Sequence, residues 1–191
     1  MKIEKHNLLI ISPEHTYPES LEEALVGLGR SSKLRSKTIA AYVDEMGEDK
    51  LNEYFKVGLV RNPVERVTSS FVVDGDKLDR QHLMEEDTQD HMPKSYKEYF
   101  TYEGLNKIDF YIKWESFECD FNKLCDILDI ENKRDEKPCN SETIFEKYYL
   151  EDTELICFLW EKYKWDIVSF GYDSLMVGNG NEESLLYNCN P

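Results

Sequence analysis

The chain has 191 residues, of which 40% are hydrophobic and 13% aromatic, enough apolar material for one substantial core. A net charge of -16 repels nucleic acid and anionic membrane surfaces, so an anionic ligand requires a local basic pocket. Five scattered cysteines (119, 125, 139, 157 and 189) with no CxxC pair argue against a disulfide framework or a zinc site and predict reduced thiols.

At the start of the chain the apolar run 8–11 is too short for a signal peptide or a membrane span. The expectation is a soluble cytoplasmic protein without a nucleic-acid or membrane partner. It is expected to form one domain over 1–175, with a loose tail over 176–191. Residues 8–12 read as a buried strand, and "PESLEEALVGLG" after them as a helix ending at glycine. "RSKTIAAYVDEMG" reads as a second helix stopped by Gly47, and 54–60 as a second apolar strand. Asn62, Pro63 and Glu65 then supply a capping side chain, a first-turn proline and an acid three residues after the cap. Val64, Val67 and Phe71 give the helix they open an apolar stripe. The polar stretch 74–94 reads as a long loop, a feature often tied to function.

Residues 108–114 alternate Ile, Phe, Ile and Trp on one face with Asp, Tyr and Lys on the other, the period of a third strand. Phe117, Phe121, Leu124, Cys125 and Leu128 follow at helical spacing. After the loop "ENKRDEKPCNSET", Leu155, Leu159, Tyr163 and Ile167 mark a last helix that stops at Gly171. Strands followed by helices predict a three-layer α/β sandwich with a mainly parallel central sheet. Ligands of such sheets bind at the carboxyl ends of the strands.

The stretch "YFKVGLVRNPVERVTSSF" concentrates the chemistry. Arg61 falls at a strand end, and the helix that starts next carries free N–H groups and a dipole that favour an anion. A guanidinium there can hold a phosphate through two parallel hydrogen bonds. Arg66 and Ser69, three apart and off the valine stripe, offer further donors. The plainer alternative pairs Arg66 with a surface carboxylate and leaves the serines to water.

"VGLVRNPVERVTSSF" resembles the 3′-phosphate-binding segment of the carbohydrate sulfotransferase family, matching it at Arg61, Asn62, Pro63, Arg66, Ser69 and Phe71. "KIDFYIKWESFECDFNKLCDILDI" resembles the family's later strand, glutamate and helix. "YYLEDTELICFLWEKYKWDIVSFGY" resembles its closing helix, with Tyr163, Asp166, Phe170, Gly171 and Tyr172 at the matching places. The resemblance implies a P-loop-kinase-like fold and transfer of a sulfuryl group from 3′-phosphoadenosine-5′-phosphosulfate (PAPS). The acceptor is a hydroxyl on a glycan or small molecule, the product is 3′-phosphoadenosine-5′-phosphate (PAP), and no metal takes part. It gives the 3′-phosphate to Arg61 and Ser69, and its compact form is more like bacterial or viral relatives than Golgi ones.

The family's 5′-phosphosulfate loop, Pro-Lys-(Thr/Ser)-Gly-(Gly/Thr)-Thr-Ser, is altered here to "EHTYPES". Aligned on Ser20, His15 takes the lysine position, Thr16 the threonine, and Tyr17 and Pro18 the glycines, while Glu14 and Glu19 bring repelling charge. Thr16, Ser20 and nearby backbone are the expected partners of the 5′ side. Three outcomes stay open. His15 substitutes for the lysine as a cation or proton donor; the loop is degenerate and the protein binds a nucleotide or glycan without turnover; or Lys33, Arg35 or Lys37 reaches in.

For the acceptor's proton, His91 is the first candidate base, ahead of His82, Glu85, Glu86 and Asp87 in the same loop. "RSKT" has Ser36 where many relatives carry a histidine. Asn140, in "PCNSET", matches a feature that closes over the nucleotide in relatives. Glu115 is expected to anchor a strand-to-helix turn. A nucleotide kinase of the same fold is disfavoured because no GxxxxGK[ST] segment occurs.

Overall fold

The computed structural model describes residues 2–3, 6–16, 36–71, 92–131 and 153–172. The helix expected after residue 17, most of the loops expected over 74–94 and 131–143, and the tail 176–191 lie outside the described residues. The chain divides into two compact units, 1–61 with 96–141 and 62–95 with 142–191.

The first unit is mixed α/β around a four-stranded, mostly parallel sheet. Its strands are β1 (Lys2–Ile3), β2 (Leu8–Ile11), β3 (Phe55–Val60) and, later in the chain, a strand at Phe110–Lys113. Between β2 and β3 come α1 (Ile39–Met46) and α2 (Glu48–Asn52). Thr38 caps α1 by accepting the Ala41 N–H at 3.1 Å. Gly47, at φ 83°, ends it as expected, a left-handed conformation that glycine adopts without strain.

β1 pairs antiparallel with β2, and β2 pairs parallel with β3, setting Leu8 beside Phe55 and Ile11 beside Gly58. β3 in turn pairs parallel with the strand at Phe110–Lys113, with Val57 beside Phe110 and Val60 beside Lys113. At the amino end of this last pair, the Asp109 carboxylate accepts from the Lys56 backbone N–H at 2.7 Å and faces the Lys56 ammonium at 2.8 Å.

β2, and β3 from Val57 onward, are continuous apolar runs rather than alternating ones because both faces of the sheet are covered. On one face Ile3, Leu8, Ile10, Val57, Leu59 and Ile112 meet Phe117, Phe121, Leu124 and Cys125. On the other, Leu9, Ile11 and Val60 are also fully buried. There Gly58 lies under two rings, and a Cβ at this position would stand 2.9 Å from Tyr111 and 3.1 Å from Phe100. Phe100 belongs to the short helix α4 (Tyr96–Phe100), which follows α3 (Pro63–Phe71) in chain order.

After α4 comes a hairpin of β4 (Thr101–Tyr102) and β5 (Leu105–Asn106). Its turn residues Glu103 and Gly104 both have positive φ, 50° and 77°, as the tightest hairpin turns require. The edge strand Phe110–Lys113 is β6, and α5 (Phe117–Ile127) follows it through a single 3-10 turn at Trp114–Ser116. The turn is closed by Asp120, which accepts from the Lys113 N–H at 3.2 Å and the Ser116 hydroxyl at 2.7 Å.

The second unit holds α3 and α6 (Thr153–Ser169) packed together. Asn62 opens α3 as its sequence chemistry predicts: its side-chain oxygen accepts the Val64 N–H at 3.0 Å and its carbonyl accepts the Arg66 N–H at 2.9 Å. Val64 and Val67 are buried. On α6, Leu155, Leu159, Tyr163 and Ile167 are all buried, and the helix is interrupted at Tyr163, with φ -113° and ψ 19°. Gly171, at φ 69°, ends the element, and the Tyr172 N–H donates back to the Ile167 carbonyl at 2.9 Å.

Cys119 and Cys125 carry free thiols. Cys157 is disulfide-bonded, which corrects the expectation of reduced thiols throughout. Among the described residues no helix is long and apolar enough to cross a membrane.

Candidate functional site

Two segments of the first unit leave the sheet at the same end. Because β2 and β3 are adjacent and parallel, the loop 12–16 after β2 and Arg61 after β3 both emerge at the carboxyl edge. β6 reaches the same edge, with Lys113 beside Val60, so the Trp114–Ser116 turn joins them.

In the loop, Ser12 and Thr16 are buried while Glu14 and His15 are exposed. The Thr16 hydroxyl donates to the Glu14 carbonyl at 3.3 Å, and the Ser12 hydroxyl makes a long contact, 3.4 Å, to the Pro13 carbonyl. His15 has φ 56°, in the left-handed region. A non-glycine residue there costs about 1–2 kcal/mol, and such strain tends to collect at functional loops. The loop therefore displays His15 and Glu14 outward and keeps both hydroxyls on its own backbone. Lys37, one of the side chains considered for reaching in, is committed to Glu45 at 2.6 Å. Lys33 and Arg35 lie outside the described residues.

Arg61 is half-buried, and its backbone is held from both sides by one side chain. The Tyr96 hydroxyl accepts the Arg61 N–H at 2.7 Å and donates to the Arg61 carbonyl at 2.8 Å. Tyr96 is fully buried, its ring stacked on Phe100 at 5.5 Å and 2°. No sequence pattern marked Tyr96: the two residues are far apart in the chain, and "KSYKEYF" carries no anion-site signature.

In the second unit, Arg66 was expected to turn a donor toward an anion. Its side chain has no exposed surface and faces the equally enclosed Asp166 at 4.0 Å. The Arg66 guanidinium also donates to the Lys94 carbonyl and lies 5.7 Å from the centre of the Tyr163 ring. Tyr163 in turn donates its hydroxyl to the Pro93 carbonyl at 2.6 Å. The arginine of the "RNPVER" run and the tyrosine and aspartate of the closing helix, quoted from separate parts of the sequence, thus meet in one buried polar cluster. A planar, permanently charged guanidinium suits this place because it can face a carboxylate, a carbonyl and a ring at once. Ser69 is half-buried and donates its hydroxyl to the Glu65 carbonyl at 2.7 Å, one turn back in α3. Bonding an anion requires that hydroxyl to rotate.

Of the other expected site residues, Ser20, His91 and Asn140 lie outside the described residues, as do His82 and residues 85–87. The half-buried Trp160 and Trp165 accompany the buried Tyr163 on α6, and Trp165 meets Phe170 edge-on at 6.0 Å. An open depression of about 480 Å³ is lined by Cys125, Asp126, Asp129, Ile130 and Glu131. It lies at the end of α5 away from the β6 turn, and its carboxylates repel an anion. Among the described residues, no group of three or more His, Cys, Asp or Glu is arranged to hold a metal ion.

No protein-family model matches the chain, and comparison with curated proteins and with solved structures finds no match.

Proposed function

We propose that the first unit carries a nucleotide-anion site of the sulfotransferase kind, on a P-loop-kinase-like three-layer fold. Its ligand is PAPS, and its reaction is sulfuryl transfer to a hydroxyl of a glycan or small molecule. The observation that carries the reading is the adjacency of β2 and β3: the altered "SPEHT" loop and Arg61 share the carboxyl edge of one parallel sheet. That is where open α/β sheets bind ligands, and it is the relation the two quoted segments need if both are to face one nucleotide.

The residues fit the two ends of such a ligand unequally. At the 3′-phosphate end, Arg61 is half-buried with a fixed backbone, which limits both solvent screening and the entropy of holding an anion. At the 5′ end, His15 is the outward cation or proton donor, beside the exposed and repelling Glu14. The buried Thr16 meets an anion only by giving up its bond to Glu14. His91, or a carboxylate of its loop, takes the proton of the acceptor hydroxyl in this reading.

That inequality favours a second reading, in which the protein binds the nucleotide and turns it over slowly or not at all. The two separate in one assay: release of PAP from PAPS in the presence of glycan acceptors, with wild type and His15→Ala. The transferase reading expects acceptor-dependent release that falls at least about a hundredfold in the variant, the scale of a lost general acid. Binding of PAPS without acceptor-dependent release identifies the binder.

A further inference from the structure

We infer that Tyr96 is the positioning residue for Arg61, and so sets how well the site takes a 3′-phosphate. The inference rests on the anion-site reading above and deepens it. One hydroxyl both accepts from the Arg61 N–H at 2.7 Å and donates to its carbonyl at 2.8 Å. Those two groups flank the Cα from which the guanidinium projects, so the pair of bonds fixes the direction in which the side chain leaves the strand.

Arg61 is the first residue beyond β3, where the ladder no longer constrains the backbone. Without a substitute for the ladder, a strand end is free to fray. Tyr96 supplies that substitute from a ring that is itself immobile: it is fully buried and stacked on Phe100, which packs against Tyr111 at 5.5 Å. Tyr111 lies in β6 beside Gly58 of β3. The chain of support runs from the sheet through Phe100 and Tyr96 to the Arg61 backbone. A small residue at 58 makes room for it, since both rings crowd the space a Cβ would fill. A tyrosine placed only to fill the core has no need to present its hydroxyl to both backbone groups of a single residue.

The test compares two probes that differ by one group: PAP and adenosine 5′-phosphate, titrated into wild type, Arg61→Ala, Tyr96→Phe and Phe100→Leu. Tyr96→Phe keeps the ring and removes the two bonds. Its PAP affinity is expected to fall about tenfold while its affinity for adenosine 5′-phosphate is unchanged. Phe100→Leu loosens the same stack but keeps the hydroxyl, and is expected to lower the melting temperature without that selective loss. If Tyr96→Phe leaves the ratio of the two affinities at the wild-type value while Arg61→Ala abolishes it, the positioning role is overturned and the anion site stands. The same selective loss in Phe100→Leu also overturns it, because loosened packing then explains the effect. Wild type that binds PAP no better than adenosine 5′-phosphate sinks both the site and the positioning role.

Discussion

The two units solve the problem of a buried interior in opposite ways. In the first, the sheet and α5 close over an apolar core from Ile3 to Cys125, and the buried Lys56 ammonium of β3 is paired with Asp109, which keeps access to solvent. In the second, a full ion pair, Arg66 with Asp166, sits inside with no exposed surface. An apolar core tolerates exchange of one hydrophobic residue for another of similar volume, whereas a buried charge is tolerable only while its partner is present. The run "VRNPVER" contributes to both, and its two arginines differ accordingly: Arg61 retains access to solvent, and Arg66 has none. One motif thus serves two purposes, a cation open to solvent and an internal tie.

The sharpest way to break this contrast is to remove one charge. Asp166→Asn is expected to destabilise by about 3–5 kcal/mol in urea unfolding, because Arg66 is left buried against a neutral group. Replacing both partners, Arg66→Met with Asp166→Leu, should recover most of that loss. A double variant no more stable than the single one contradicts the reading of the pair as desolvated charges.

In the first unit Leu124→Ala is expected to cost about 2–5 kcal/mol, the transfer term plus a cavity. No second truncation should recover it, which is the difference from the ion pair. Gly58→Ala probes the opposite fault, overpacking beneath Tyr111 and Phe100, and should cost about 1–3 kcal/mol. A neutral result there means that the two rings move aside freely, which weakens the case for a rigid support behind Arg61.

The smallest effect belongs to the surface. Hydrogen bonds from Lys37 and then Lys2 hold the Glu45 carboxyl down to about 2 from its ordinary value of 4.5. A carboxyl with a lowered folded-state pKa contributes stability above its unfolded value and loses it as pH falls through the folded one. The Glu45 contribution is therefore complete above about pH 4.5 and fades toward pH 2. Since Glu45 is 41% exposed, the pair is worth no more than about 1 kcal/mol. Glu45→Gln should flatten the acid limb of the stability profile by that amount; an unchanged profile shows the carboxyl to be fully screened.

What was legible in the sequence followed from period and local chemistry. The apolar runs of β2 and β3, the four-residue spacing of Leu155, Leu159, Tyr163 and Ile167, and the Asn62-Pro63 start of α3 are signals carried within one segment. β1, β4 and β5, two residues each, are too short to have a period, and α2 and α4 are single turns fixed by their surroundings. The division into two units was not legible either, because each is assembled from segments distant in the chain. Within the candidate site, Arg61 was visible as a cation at a strand end. The destination of Arg66 was not: position off the valine stripe says which side of α3 it leaves, and only the fold says that Asp166 lies there. Tyr96 escaped notice for a related reason, since a tyrosine's hydroxyl acquires its role from a backbone brought to it by tertiary structure.

The most direct test of the account is calorimetric titration of PAP into the wild-type protein and Arg61→Ala. The account predicts saturable binding to wild type and a loss of about ten- to a hundredfold in the variant, the worth of a charge-assisted contact. Equal affinity in the two proteins, or no binding to either, contradicts it.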